Sequence, residues 1–124
     1  MRIAIDVMGG DFAPDSIIEG AVDSLQCLSP DDEMVLIGDK EIIYRKLEEL
    51  NTSPSNFLII HTSQFIEMGD VPAKAYSQKP DSSIAVGYKM LKEKAINGFC
   101  SAGNTGALMA LGRMVLKTCD GIER

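Results

Sequence analysis

Apolar and polar positions along the chain fall into short β-type runs that alternate with longer stretches of helical period. The first run, Arg2 to Val7, is rich in Ile and Val with little alternation, as in a strand buried on both faces of a parallel sheet. From Pro14, whose fixed φ suits a first helical turn, Ile17, Ile18, Ala21, Val22 and Leu25 recur at helical spacing, with Asp15 and Glu19 near the positive end. The pattern then repeats. Met34 to Ile37 predicts a second strand, Gly38-Asp39 its exit, and Ile43, Leu47 and Leu50 one face of a helix. Phe57 to Ile60 predicts a third strand. After a less regular stretch around Gly69 to Pro72, Asp81-Ser82-Ser83 offers caps to a helix carrying Ile84, Tyr88, Leu91 and Ala95, which Asn97-Gly98 closes. Phe99 to Ser101 reads as a short strand and Thr105 to Lys117 as an apolar helix.

Strands alternating with helices of about ten to fifteen residues indicate right-handed βαβ units. The expected class is α/β, a parallel or mostly parallel sheet with helices on both faces, and ligands of such sheets sit beyond the strands' carboxyl ends. Two glycine-rich turns emerge at that edge: Met8-Gly9-Gly10-Asp11 after the first strand and Ser101-Ala102-Gly103-Asn104-Thr105-Gly106 after the last. They can line one crevice although more than ninety positions separate them. Glycine permits close backbone approach, and the first amides of a following helix lack internal partners, so both turns suit an anion such as phosphate.

Composition narrows the class. The 124 residues, 45% hydrophobic and 24% charged, match one soluble globular core, and a net charge of −6 repels nucleic acid and anionic membrane surfaces. An anion site must therefore be local. Cys27, Cys100 and Cys119 form an odd set without CxxC or CxxH spacing, which argues for a reducing cytoplasm and against a zinc site. No run approaches the roughly 20 apolar residues of a membrane span, and the first residues enter a strand pattern directly instead of a charged leader and apolar h-region, so secretion is not expected. The chain stops seven residues after its last helix candidate, as expected of a fragment.

Neither glycine turn is a P-loop, and neither spells GxGxxG, so no nucleotide fingerprint is present. Ser101 to Gly106 supplies amides, two hydroxyls and the Asn104 amide at a helix start, a set able to bind orthophosphate or an oxyanion, and equally able to serve as a plain connecting turn. Asp6 ends a buried strand and is expected to accept hydrogen bonds, while Asp11 either caps the helix near Pro14 or faces the crevice. A thiolate at Cys100 with His61 as its base is the weaker alternative to buried structural roles. Lys89, Lys92 and Lys94, with Lys74 and Lys79 upstream, read as a solvated face or a docking patch for an acidic partner. Met34, Met68, Met90, Met109 and Met114 read as core filler.

At Arg2 to Pro14, Ile66-Glu67-Met68, Asp70-Val71-Pro72, Lys79 to Ser83 and Ser101 to Leu108, the chain resembles the N-terminal part of the PlsX-type phosphate acyltransferases. The resemblance spans residues 1–124. It implies transfer of a fatty acyl group from acyl carrier protein to inorganic phosphate for phospholipid synthesis. It also implies a fold similar to phosphotransacetylases and isopropylmalate dehydrogenases, and a cytoplasmic homodimer associated peripherally with the membrane or a membrane acyltransferase. No cofactor or metal is implied, and no nucleic acid. Phe12 stands where the family often has His, and Ser77 where an Arg is usual, so no general base falls at position 12 and a bidentate anion contact is lost at 77.

The implied chemistry is direct attack of a phosphate oxygen on a thioester carbonyl, with the oxyanion stabilised by the enzyme. The candidate catalytic residues are Asn104 and Asp11. Gly9, Gly10, Ser101, Gly103 and Thr105 are the candidate phosphate contacts, with Ser82 and Ser83 as contacts from a helix terminus. Alternatives are an inactive phosphate- or partner-binding half of such an enzyme, or an oxidoreductase of the isopropylmalate dehydrogenase type.

Overall fold

A computed structural model describes residues 1–71, 74, 77–116 and 121. Among the described residues, strands β1 (Arg2–Asp6), β2 (Glu33–Gly38), β3 (Leu58–His61) and β4 (Gly98–Cys100) are joined through longer α-helices. These are α1 (Asp15–Ser24), α2 (Lys40–Glu49), α3 (Ser83–Lys92) and α4 (Thr105–Leu116). The strands form one all-parallel sheet in the order β3-β2-β1-β4, so the expected α/β class holds. The chain builds outward from β1 through β2 to β3, then crosses back to place β4 on the other side of β1. The direction of strand progression thus reverses between β1 and β4, and in open α/β sheets ligands bind beyond the carboxyl ends at that reversal.

Alternation along the central strands divides the core. Met34 and Leu36 of β2 pack with Ile18 and Ala21 of α1 and Ile43 and Leu47 of α2 on one face. Val35 and Ile37, with Ala4 of β1, pack on the other face against Val86, Met90 and Leu91 of α3. Every residue of β2 from Met34 to Gly38 is buried, as a strand covered on both sides should be. A third cluster joins Ile84 and Tyr88 of α3 to Ala107 and Leu111 of α4, with Ile66 from the preceding loop.

Several expectations change. Asn97-Gly98 does not close α3: the helix ends at Lys92, Lys94 takes φ 58°, and Asn97 opens β4 by accepting the Arg2 amide at its Oδ1, 2.7 Å. Asp11 does not cap α1, which begins with Pro14 at the cap position and no side-chain cap bond. Met34 is core, but Met68, in the loop before α3, is 56% exposed, and Met109 and Met114 are 73% and 63% exposed because α4 turns only its Ala107 and Leu111 side inward. Pro72 of the quoted sequence blocks, Lys117 and Cys119 lie outside the described residues.

Candidate anion-binding site

The register that sets Ile5 beside Cys100 places Asp6 and Ser101 side by side one step on, where both strands end. Asp6 is the carboxylate that follows the apolar Ile3 to Ile5 of β1 and is 1% exposed. Its Oδ1 accepts the Met8 amide at 3.0 Å, and its Oδ2 accepts the Ser101 hydroxyl at 2.7 Å. The Ser101 oxygen in turn accepts the Gly103 amide at 3.1 Å. Asp6 is thus an acceptor of backbone and side-chain hydrogen bonds, as expected of it. The two turns touch main chain to main chain: a Cβ on Gly9 would overlap Asp6 Oδ2 and lie 2.9 Å from both Gly103 N and Ser101 Oγ. Gly10 holds φ +120°, a conformation that side chains disfavour, with Ala102 beside it.

Beyond Gly103 the chain enters α4 through Asn104, which is 6% exposed. Its Oδ1 caps the helix by accepting the Ala107 amide at 3.0 Å. Its Nδ2 donates toward three main-chain carbonyls, Glu67 at 3.1 Å, Met68 at 3.1 Å and Asp70 at 3.2 Å, so two hydrogens serve three acceptors. The Asn104 side chain therefore holds a loop against the start of α4. That loop is also closed on itself, for Asp70 Oδ2 accepts the Glu67 amide at 2.8 Å and pairs with Lys79 Nζ at 2.5 Å. The Lys79 ammonium, followed by the Glu67 amide, holds the Asp70 carboxyl below its ordinary 3.8. Thr105 and Gly106, the first residues of α4, are exposed, and among the described residues nothing accepts their amides.

The remaining candidates distribute around this junction. Ser82 and Ser83 are buried: Ser82 Oγ caps α3 by accepting the Ala85 amide at 3.4 Å, and the Ser83 amide donates to Gln64 O at 3.3 Å. The first turn of α3 adjoins the second glycine turn, since a Cβ on Gly103 would stand 3.5 Å from Ile84 Cδ1. Asp11 is exposed on the outer limb of the first turn, beside Phe12 at 78% exposure. His61 and Cys100 are not brought together, because they close β3 and β4, the two outer strands, with β2 and β1 between them. His61 Nδ1 instead accepts the Lys40 amide at 3.2 Å, and Cys100 is exposed rather than buried. Lys89, Lys92 and Lys94 are exposed, while Lys79 is drawn to Asp70.

Chemically, this junction offers main-chain N–H groups at the positive end of α4, an exposed Thr105 hydroxyl, and glycine walls that let a ligand come close. Such a site suits a small oxyanion. What the sequence did not disclose is the Ser101 to Asp6 bond, which spends the hydroxyl's single hydrogen inside the protein. The available signal was the one carboxylate in the Arg2 to Val7 run. Among the described residues no group of three His, Cys, Asp or Glu side chains is placed to hold a metal ion, and no helix is long and apolar enough to cross a membrane.

An open parallel α/β sheet with a reversal in strand order is a scaffold shared by many unrelated enzymes. Family comparison is more specific: the model of the family described as "Fatty acid synthesis protein" matches residues 1–124, and the chain belongs to that family. It is 44% identical over 124 residues to a phosphate acyltransferase of Magnetococcus marinus, covering all of this chain and 35% of the relative. It is 47% identical to one of Caldicellulosiruptor bescii, covering all of this chain and 37% of that protein. With the phosphate acyltransferase of Pseudomonas fluorescens it shares 46% over 129 residues, 98% of this chain and 36% of the relative. The chain thus spans about a third of the length of the curated relatives it matches, and its kinship is with acyltransferases of fatty acid synthesis.

Proposed function

We propose that the junction of the two glycine turns binds inorganic phosphate and that, in the whole protein, it serves transfer of a fatty acyl group from acyl carrier protein to that phosphate. In this reaction a phosphate oxygen forms a bond to the thioester carbonyl carbon, the carbonyl oxygen carries the negative charge of the tetrahedral intermediate, and the carbon–sulfur bond breaks to release the carrier's thiol. The products are acyl phosphate and free carrier. Thr105 and Gly106 supply main-chain donors, Gly9, Gly10 and Gly103 supply the close wall, and Asn104 fixes the start of α4. Ser101 acts through its bond to Gly103, and Ser82 and Ser83 shape the neighbouring helix terminus. Asp11, exposed at the rim, is the candidate for handling the proton of the departing thiol. The carrier protein's own docking, self-association into a homodimer and peripheral contact with a membrane or a membrane acyltransferase belong to the same reading.

The observation that carries this reading is the packing of Gly9 against Gly103 and Ser101 at the reversal point, in a chain whose relatives are named phosphate acyltransferases. The test is to incubate the 124-residue chain, and a version extended to the length of its relatives, with acylated carrier protein and phosphate. Phosphate-dependent acyl phosphate from the extended version is the expected result. If the short chain binds phosphate and makes no product, it is the phosphate-holding part of the enzyme. If neither version binds phosphate or turns over, the proposal falls.

A further inference from the structure

We propose that Asp6 is a positioning residue of this site: its carboxylate clasps the two glycine turns and thereby sets where the first amides of α4 stand. The inference rests on the phosphate reading above. A buried carboxylate is costly unless hydrogen bonds replace its water. Asp6 meets that demand with one donor from each turn, the Met8 amide on Oδ1 at 3.0 Å and the Ser101 hydroxyl on Oδ2 at 2.7 Å.

The second bond carries the clasp from β1 to the turn before α4. Ser101 has one hydroxyl hydrogen, and a carboxylate can only accept it, so the serine oxygen is left facing the Gly103 amide as an acceptor at 3.1 Å. The result is a directed line, Gly103 N–H to Ser101 O–H to Asp6, that ends on β1 and begins one residue before the Asn104 cap of α4. Gly9 sits inside this arrangement without room for a Cβ, so the line is packed as well as bonded. A negative charge behind a phosphate site works against the ligand. Asp6 is therefore better explained by the geometry it imposes than by any attraction it exerts.

The test uses Asp6→Ala, Asp6→Asn and Ser101→Ala in the extended version, with hydrogen exchange of the Met8 and Gly103 amides followed alongside. In Asp6→Ala and Ser101→Ala the expected result is a rise of about tenfold in KM for phosphate with KM for the acylated carrier within about twofold, since small misplacement at a binding site is expensive. Gly103 exchange should quicken in both. Asp6→Asn should keep most of the phosphate affinity, because its Oδ1 still accepts from Met8 and its Nδ2 can donate to Ser101. An unchanged KM for phosphate in folded Ser101→Ala and Asp6→Ala overturns the clasp and leaves the phosphate reading standing. Equal rises in both KM values, or Asp6→Asn failing as badly as Asp6→Ala, overturn it too. A wild-type protein that neither binds nor uses phosphate removes the reading itself and the positioning role with it. Should Asp6→Ala not fold, Ser101→Ala decides.

Discussion

The amino ends of α2 and α4 stand at the same edge of the same sheet, each reached through a glycine-bearing exit from a parallel strand, yet one is sealed and the other open. At α2, Asp39 Oδ1 accepts the Glu41 and Ile42 amides and His61 Nδ1 accepts the Lys40 amide, so every donor of the first turn is spent. At α4, Asn104 Oδ1 takes only the Ala107 amide, and its Nδ2 is turned away toward the Glu67 to Asp70 carbonyls. Among the described residues nothing accepts the N–H groups of Thr105 and Gly106. A helix dipole alone does not make an anion site; what the neighbouring side chains leave unspent does.

Breaking the Asn104 anchor should have the largest effect. Asn104→Ala removes a helix cap and leaves loop carbonyls unpaired, a loss of about 2–4 kcal/mol in urea unfolding, with phosphate affinity weakened in a calorimetric titration. Gly9→Ala drives a methyl into Asp6 and Gly103, and overpacking of this kind costs about 1–3 kcal/mol and should abolish detectable phosphate binding. Asp39→Ala sharpens the comparison from the other side: loss of its cap costs about 1 kcal/mol, with phosphate affinity unchanged. If Asp39→Ala weakened phosphate binding as much as Asn104→Ala, the distinction between sealed and open ends would be wrong.

The smallest expected effect is electrostatic. Asp70 is held below its ordinary 3.8 by Lys79, so its contribution is present above the unfolded carboxylate value and is lost as pH falls through the lower folded one. Lys79→Met should move the Asp70 titration upward in a carboxyl NMR experiment and shift the onset of acid unfolding to higher pH. An Asp70 titration that ignores Lys79 would show that the ammonium plays no part in holding the loop.

Much of this was legible from the residue pattern, for reasons that differ by element. The Ile- and Val-rich run around β1 and the helical spacing of Ile18 and Ala21, or Ile43 and Leu47, report local periodicity, and each of those residues is buried on its helix. The meeting of the two glycine turns was legible too, because parallel crossovers bring all carboxyl ends to one edge. Less legible were features set by partners distant in sequence. Nothing near Asn104 announces that its amide reaches Glu67, and nothing near Ser101 announces that its hydrogen goes to Asp6. Met109 and Met114 misled because helical spacing cannot say how much of α4 is covered: Tyr88 and Ile84 cover one side, where the Tyr88 hydroxyl donates to Leu108 O at 2.9 Å. Asn97-Gly98 misled because Lys94 takes the left-handed turn earlier.

The bond between residues 6 and 101 spans 95 positions, whereas β1 meets β2 after only 31. During synthesis at ordinary ribosomal speeds the flank of β1 that awaits β4 would stay bare for about 5–20 s after the strand itself emerges, long after its other flank has paired. The junction of the two glycine turns therefore forms only once β4 has joined β1. If phosphate binds there as proposed, it favours chains in which β4 has docked, and so acts on yield as well as on chemistry.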